Sequence, residues 1–397
     1  MSQSAKGTRF IRREAPLPFF KPDVGEAEIA AVGDVIRSGW LTSGPKVREF
    51  GQACAAYLGV PSAIPVASAS AGLFLSLKAM GVGPGDEVVL PALTFISTLT
   101  AVIHCGATPV LADMEFATLG LSPEAFANAV TDRTRAVIPV HMAGHPCRMA
   151  EILAVARPRG IQVLEDAAHS FGAEIDGRRL GGLGDATVFS FYATKCITTG
   201  DGGLVTTADP DMAEKLQLLS HHGMDADAWR RKTDRGSWYY EIVDIGYKFH
   251  LGDPAAAIGM VQLGRADDFM ARRRDIADRF NAAFAGLPGV TLPTEAAWAR
   301  HAWHLYVLRV DETVVTNGRD GLIADLGAND LGSSVHFIPL HHHPVFRNRF
   351  PEQAPNLPNT EAYYRTALSL PLFPAMSEAD VQDVITVVTR SVESRVS

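Results

Sequence analysis

Between about residue 60 and residue 206 the sequence alternates short apolar runs with amphipathic stretches, and this alternation restricts the available folds more than any other feature. The runs fall at 63–66, 87–90, 109–112, 136–140, 161–164, 186–189 and 204–206, with helical patterns such as 122–130 and 149–156 between them. Strands alternating with helices predict a mostly parallel sheet covered on both faces, an α/β fold. Ligands of such sheets gather where the strands end at their carboxyl side, so the residues just after each run are the ones to inspect. Near residue 265 the texture changes. A long charged helix is predicted over 266–287, ending before Pro288 and Gly289. It is followed by a strand-like 304–310, a helix around 321–326, the apolar run 335–340 and a last helix over 377–392. We therefore expect an N-terminal segment (1–24) lying across two domains, a large domain (25–265) and a smaller α+β domain (266–397).

Composition excludes several classes. With 47% hydrophobic and 20% charged residues over 397 positions, disorder and fibrous repeats are poor readings. Lys and Arg number 36 against 44 Asp and Glu, a net charge of −8, so the basic footprint of a nucleic-acid binder is missing. The four cysteines, Cys54, Cys105, Cys147 and Cys196, are widely spaced with no C-x-x-C pair. That argues against a disulfide framework or zinc knuckle and fits the reducing cytoplasm. The N-terminus is basic without an apolar core, so no secretory signal is visible. The stretch 88–112 has no acid, lysine or arginine and is long enough for a bilayer. It also holds Pro91, Pro109 and His104, and reads as strand, loop, helix and strand rather than a membrane span.

Three strand ends carry chemistry. In VASASAGLFLSLKAM (66–80), Ala69, Ser70, Ala71 and Gly72 open a helix whose exposed N–H groups and dipole would seat a phosphate, with hydroxyls from Ser68 and Ser70. A serine there is equally an ordinary helix cap. In IQVLEDAAHSFGA (161–173), Asp166 sits where a carboxylate would pair with a cationic ring nitrogen, and His169 is close enough to reach the same ligand. A capping Asp and a satisfied His are the plainer reading. In VFSFYATKCITTGDGG (188–203), Lys195 stands between a buried strand and a glycine-rich turn with no local acid to pair with. Desolvation there would make it a nucleophilic amine, although a solvated loop lysine would look the same. Ser190 lies at the end of the same strand. A phosphate seat, an Asp and a Lys in that order are what pyridoxal 5′-phosphate (PLP) needs.

The order resembles that of fold type I PLP enzymes, the aspartate aminotransferase-like fold. SGWLTSGPKV (38–47), MGVGPGDEVVLPALTFISTLTAV (80–102), GATPVLAD (106–113), PVHMAGHPCRM (139–149), FSFYATK and LSLPLFPAM (368–376) look like the DegT/DnrJ/EryC1/StrS family of sugar aminotransferases. HHGMDADAW (221–229), GYKFHLGDPAAAIGMVQL (246–263) and HAWHLYVLRVDE (301–312) resemble its branch of C4 transaminases of UDP-linked 4-keto sugars.

The resemblance implies Lys195 as the Schiff-base lysine and Asp166 as the pyridinium partner, with L-glutamate as donor and a keto sugar nucleotide as acceptor. Where many members have Gly-Thr, this chain has Ala69 and Ser70; where they have Gln near the cofactor's phenolate oxygen, it has His169. Ser190 would complete the phosphate contacts and Phe95 would lie on the ring. Lys248 falls where much of the family has an Asn that reaches the phosphate from a neighbouring subunit, which implies a homodimer with shared sites. Trp40, Thr42, His222, Trp303, His304 and His336 are nominated for the sugar by the likeness alone. Amination of a cyclitol or other cyclic ketone, or a PLP-binding regulator without turnover, are the alternatives. No metal is expected: the HHHP tract (341–344) suggests one, but adjacent side chains are expected to diverge with no carboxylate nearby.

Overall fold

The computed structural model describes residues 7–225, 239–353 and 355–396. Residues 1–6 of the N-terminal segment and 226–229 of the HHGMDADAW motif lie outside these. Helices α1 (Glu26–Ser38) and α2 (Pro45–Leu58) precede β1 (Ser62–Val66) and α3 (Ala69–Ala79). Then β2 (Glu87–Pro91), α4 (Ile96–His104), β3 (Thr108–Ala112), α5 (Pro123–Ala129), β4 (Thr134–Val137), α6 (Met149–Ala156) and β5 (Gln162–Asp166) alternate. The short pair β6 (Glu174–Ile175) and β7 (Arg178–Arg179) comes before β8 (Ala186–Ser190), β9 (Gly203–Thr207) and α7 (Pro210–Ser220).

Seven strands form one sheet in the order β1-β9-β8-β5-β4-β2-β3. All seven apolar runs become its strands, displaced by a few residues at most. Neighbours from β8 to β3 are parallel, whereas β9 runs antiparallel to both β1 and β8. Alternation then sorts side chains between the faces. Val88, Leu90, Leu164, Val188 and Val205 pack with α3, α4 and α7. On the other face Val89, Val137 and Val163 meet α5 and α6, and Phe189 and Leu204 join α2 and the helix Asp253–Gly264. The charge-free stretch 88–112 resolves into β2, α4 and β3, and no helix among the described residues is long and apolar enough to cross a membrane.

After the helix Ala266–Phe284, strands β10 (Val290–Thr291), β11 (Ala299–Arg300), β12 (Tyr306–Val310) and β13 (Ala367–Leu370) follow with the helices Gly318–Ala328 and Glu378–Glu393. β10, β12 and β13 form a small antiparallel sheet over a separate core that includes Phe280, Phe284, Tyr306, Leu322 and Val384. Ser377 caps the last helix reciprocally with Asp380. The apolar run 335–340 forms no strand. After a single bridge from Ser334 to Ser369 it crosses to the large sheet, where Leu340 N–H donates to the Ala92 carbonyl at 2.9 Å. Pro339 lacks the N–H a ladder needs, and His336 and Phe337 turn into a cavity instead. In the N-terminal segment, Phe10 and Ile11 N–H groups donate to Asn329 Oδ1, and Leu17 bridges to Leu331. Farther on, Gln262 Nε2 donates to the Asp23 carbonyl at 2.8 Å.

Candidate active site

Helix α3 starts hard against the sheet. Ser68 caps it, its hydroxyl accepting from Ala71 N–H at 3.1 Å, so the plain capping role is real for that serine. Gly72 faces Val188 and Val205 so closely that a Cβ would stand 3.0 Å from each. On β9, Gly203 crosses the helix start, where a Cβ would fall 2.6 Å from the Ala69 nitrogen. The two glycines let the helix N-terminus settle between the ends of β1 and β8. Its first turn, with Ala69 and Ser70, opens onto a cavity of about 450 Å³ that Ser190 also lines.

The same cavity gathers Phe95, Asp166, His169 and Lys195 from the large sheet's loops. His304, His336 and Phe337 also line it, and Phe19 and Phe20 of the N-terminal segment add apolar surface. Asp166 ends β5 and is 4% exposed. Thr98 donates its hydroxyl to Oδ2 at 2.8 Å, and Ala168 N–H donates to Oδ1 at 3.1 Å. Burial still holds this carboxyl above the ordinary range, against the pull of those donors and of Lys195. Lys195 is half-buried on the turn after β8, and burial lowers its ammonium to about 8 although Asp166 opposes the shift. Cation and carboxylate thus feel one another across the cavity.

Three imidazoles in this cavity are kept neutral. Burial first, then the Lys195 charge, puts His169 well below the usual range and His336 at about 4. His304 is also well below, through burial and its neighbour His169, whose ring centroid is 4.5 Å away. His336 Nδ1 lies 2.8 Å from Ser369 Oγ, but the Nδ1 atoms of His169 and His304 are buried with no protein partner. Buried polar atoms rarely stay unmatched, so these two call for a ligand.

Other nominated residues lie elsewhere. Trp40 Nε1 donates to the Ser43 carbonyl, Thr42 Oγ1 is 3.5 Å from His250 Nε2, and His222 N–H donates to the Tyr247 carbonyl. Lys248 bridges to His221. None of these four lines the cavity of its own chain. Trp303 is corrected outright: it is 2% exposed, stacked on His301 at 4.1 Å within the core under the small antiparallel sheet. The reasoning on HHHP is corrected as well. His341 and His342 turn the same way, their Nε2 atoms 2.6 and 2.8 Å from Glu361 Oε1. That carboxylate was invisible locally because it comes from the helix Pro358–Thr366.

Thr98 was missed, although it starts one turn into α4, directly beyond β2. So was His141, whose Nε2 meets Glu165 Oε2 at 3.0 Å behind the sheet. Cys147 N–H donates to His141 Nδ1 at 2.9 Å, which puts the ring's proton on Nε2, toward Glu165.

These residues fit PLP. The first turn of α3, open to the cavity at Ala69 and Ser70, suits a phosphate, the deep carboxylate a ring N–H, the lysine an aldehyde, and the unmatched His169 nitrogen a polar ring substituent.

A family model described as the DegT/DnrJ/EryC1/StrS aminotransferase family matches residues 22–389. The spore coat polysaccharide biosynthesis protein SpsC of Bacillus subtilis (strain 168) is 48% identical over 375 residues, 94% of this chain and 96% of that protein. Spr1654 from Streptococcus pneumoniae, assigned as a sugar aminotransferase, is solved in a PMP form and a PLP form. The PMP form is 33% identical with a TM-score of 0.88, covering 95% of this chain and 99% of that one. Helicobacter pylori PseC, an aminotransferase involved in the biosynthesis of pseudoaminic acid, is 26% identical with a TM-score of 0.88, covering 96% of this chain and 100% of that one. Sequence, fold and cavity agree: the chain belongs to the DegT/DnrJ/EryC1/StrS aminotransferase family, whose members depend on pyridoxal 5′-phosphate.

Proposed function

We propose that the protein moves an amino group from L-glutamate to the C4 keto group of a nucleotide-linked sugar, of the UDP-4-keto pentose or hexose type. The observation that carries this reading is the cavity's lining. It brings Lys195, Asp166 and a helix N-terminus together with the uncharged rings of His304 and His336, which suit a polyhydroxyl ring. The relatives point the same way, since SpsC and PseC are named for polysaccharide and pseudoaminic acid biosynthesis.

In this reading the N–H groups at Ala69 and Ser70, with the hydroxyls of Ser70 and Ser190, hold the cofactor phosphate. Phe95 flanks the ring from the cavity mouth. Asp166 keeps a proton on the ring nitrogen by giving it a charge-assisted acceptor, and Thr98 fixes the orientation of that carboxylate. When bound, PLP supplies an aldehyde for amines to condense with and a ring that accepts an electron pair. Lys195 Nζ anchors the cofactor and, once displaced by the donor's amine, takes a proton from one carbon and returns it to another. An ammonium lowered to about 8 leaves neutral amine at physiological pH to condense with the aldehyde. The neutral imidazoles of His304 and His336 orient the sugar without competing for the Lys195 proton.

Lys248 serves the site of a second copy, as the family likeness suggests. The proposed homodimer gains support from the exposed side chains of Tyr239, Ile242, Val243 and Ile245 close to it in sequence, the last 86% exposed, and from exposed Phe95 and Tyr192 at the cavity mouth. The four cysteines are buried and form no disulfide, in keeping with a cytoplasmic enzyme. The test is mass spectrometry of products after mixing enzyme, PLP and glutamate with several 4-keto sugar nucleotides. An aminated sugar nucleotide is the expected product; amination of a cyclitol ketone alone would overturn the sugar assignment.

A further inference from the structure

Outside the catalytic cavity, three metal-ligating groups from two segments converge on one point. His341 and His342 come from the short 3₁₀ turn Leu340–His342, and Glu361 comes from the helix Pro358–Thr366. Both Nε2 atoms approach the same carboxylate oxygen, at 2.6 and 2.8 Å, and the three ligand atoms all lie within 4.8 Å of one another. The three side chains are 16%, 33% and 36% exposed, enough to admit an ion and to leave coordination positions for water.

We propose that His341, His342 and Glu361 bind a divalent transition cation, Zn²⁺ being the best match. Two imidazoles and one carboxylate form the three-ligand set that leaves a tetrahedral zinc one open position. Nitrogen donors select against Mg²⁺ and Ca²⁺, which prefer all-oxygen shells. Both Nε2 atoms already face one carboxylate oxygen, so a single cation at that place can be held by all three groups with each ring's proton on Nδ1. Zinc with bonds of about 2.0–2.1 Å holds its ligand atoms roughly 3.3 Å apart, so the half-exposed His342 and Glu361 need only swing outward slightly.

The site has a mechanical consequence for the cavity. Two residues beyond Glu361 on the same helix, Tyr363 donates its hydroxyl to the His336 carbonyl at 3.0 Å. His336 and Phe337 line the cavity, and the segment carrying them runs on to His341 and His342. A cation would fasten that segment to the helix at a second point and stiffen the wall.

The test is calorimetric titration of ZnCl₂ into dialysed holoenzyme, with the melting midpoint followed alongside. We expect one saturable site per chain and a midpoint raised by several degrees with Zn²⁺ but not with Mg²⁺. Glu361→Gln and His342→Gln should each weaken binding by about 100-fold or more. Should either variant fold poorly, Co²⁺ added to the unaltered holoenzyme should give saturating d–d absorption of a low-coordinate nitrogen and oxygen site. No saturable uptake, no such spectrum, or zinc binding that survives both substitutions would overturn the proposal. The last result would place the ion on other histidines, such as His221 and His250.

Discussion

Two carboxylates stand side by side on β5 and lead opposite lives. Glu165 points behind the sheet and is surrounded by donors: His141 Nε2, Gly184 N–H at 2.8 Å and the Thr187 hydroxyl at 2.8 Å. Those partners overcome its burial and hold the carboxyl below its ordinary range. Asp166 points the other way into the cavity with fewer donors, and burial keeps it above the ordinary range. A satisfied carboxylate anchors structure, whereas an under-satisfied one facing a lysine is available to a ligand. The period of the strand alone separates the two roles.

The sharpest attempt to break this contrast removes the cation that Asp166 faces. Lys195→Ala should lower amino transfer by more than about 10⁴-fold, since both anchoring and proton transfer are lost. Turnover of a properly folded variant at a comparable rate would remove Lys195 from the chemistry. Next come the carboxylates themselves. Asp166→Asn should slow each half-reaction by roughly 10²–10³-fold and release cofactor on dialysis, with little change in the unfolding midpoint. Glu165→Gln should do the reverse, leaving turnover within about tenfold while costing about 1–3 kcal/mol of stability. If the two variants behaved alike, the division between the faces of β5 would fail.

The pH dependence gives a finer cut. Reloading of cofactor-free enzyme needs neutral Lys195, whose proton leaves at about 8. The loading rate should therefore climb as pH rises through 8 and level off above it. Asp166 favours the protonated lysine, so in Asp166→Asn the inflection should move to lower pH. An inflection that stays put would mean that the two charges do not interact. The smallest effect is expected at Ser190. Ser190→Ala removes one phosphate hydrogen bond, about 0.5–1.5 kcal/mol, and should weaken cofactor affinity by roughly 2–10-fold in an equilibrium titration.

The sheet was legible because its strands are short, buried on both faces and punctuated by helical periods. Strand direction was not, since β9 reads locally like its parallel neighbours and turns back because its connection from β8 holds no crossover helix. Asp166 and Lys195 could be picked out as chemistry at strand ends. Thr98 could not, because a threonine in a charge-free helix offers no pattern until the fold sets it beside Asp166. Trp303 misled because its aromatic bulk suits a core as well as a cleft. The HHHP tract misled for the opposite reason: its carboxylate partner is distant in sequence, and rotamers of adjacent histidines are not fixed by spacing. Of the residues nominated from likeness alone, Trp40, Thr42, His222 and Lys248 lie off the cavity of their own chain.

Reduction of the holoenzyme with borohydride followed by peptide mapping tests the central assignment most directly. The account predicts a single pyridoxyl group fixed to the ε-nitrogen of Lys195. A label on another lysine, or none, would contradict it.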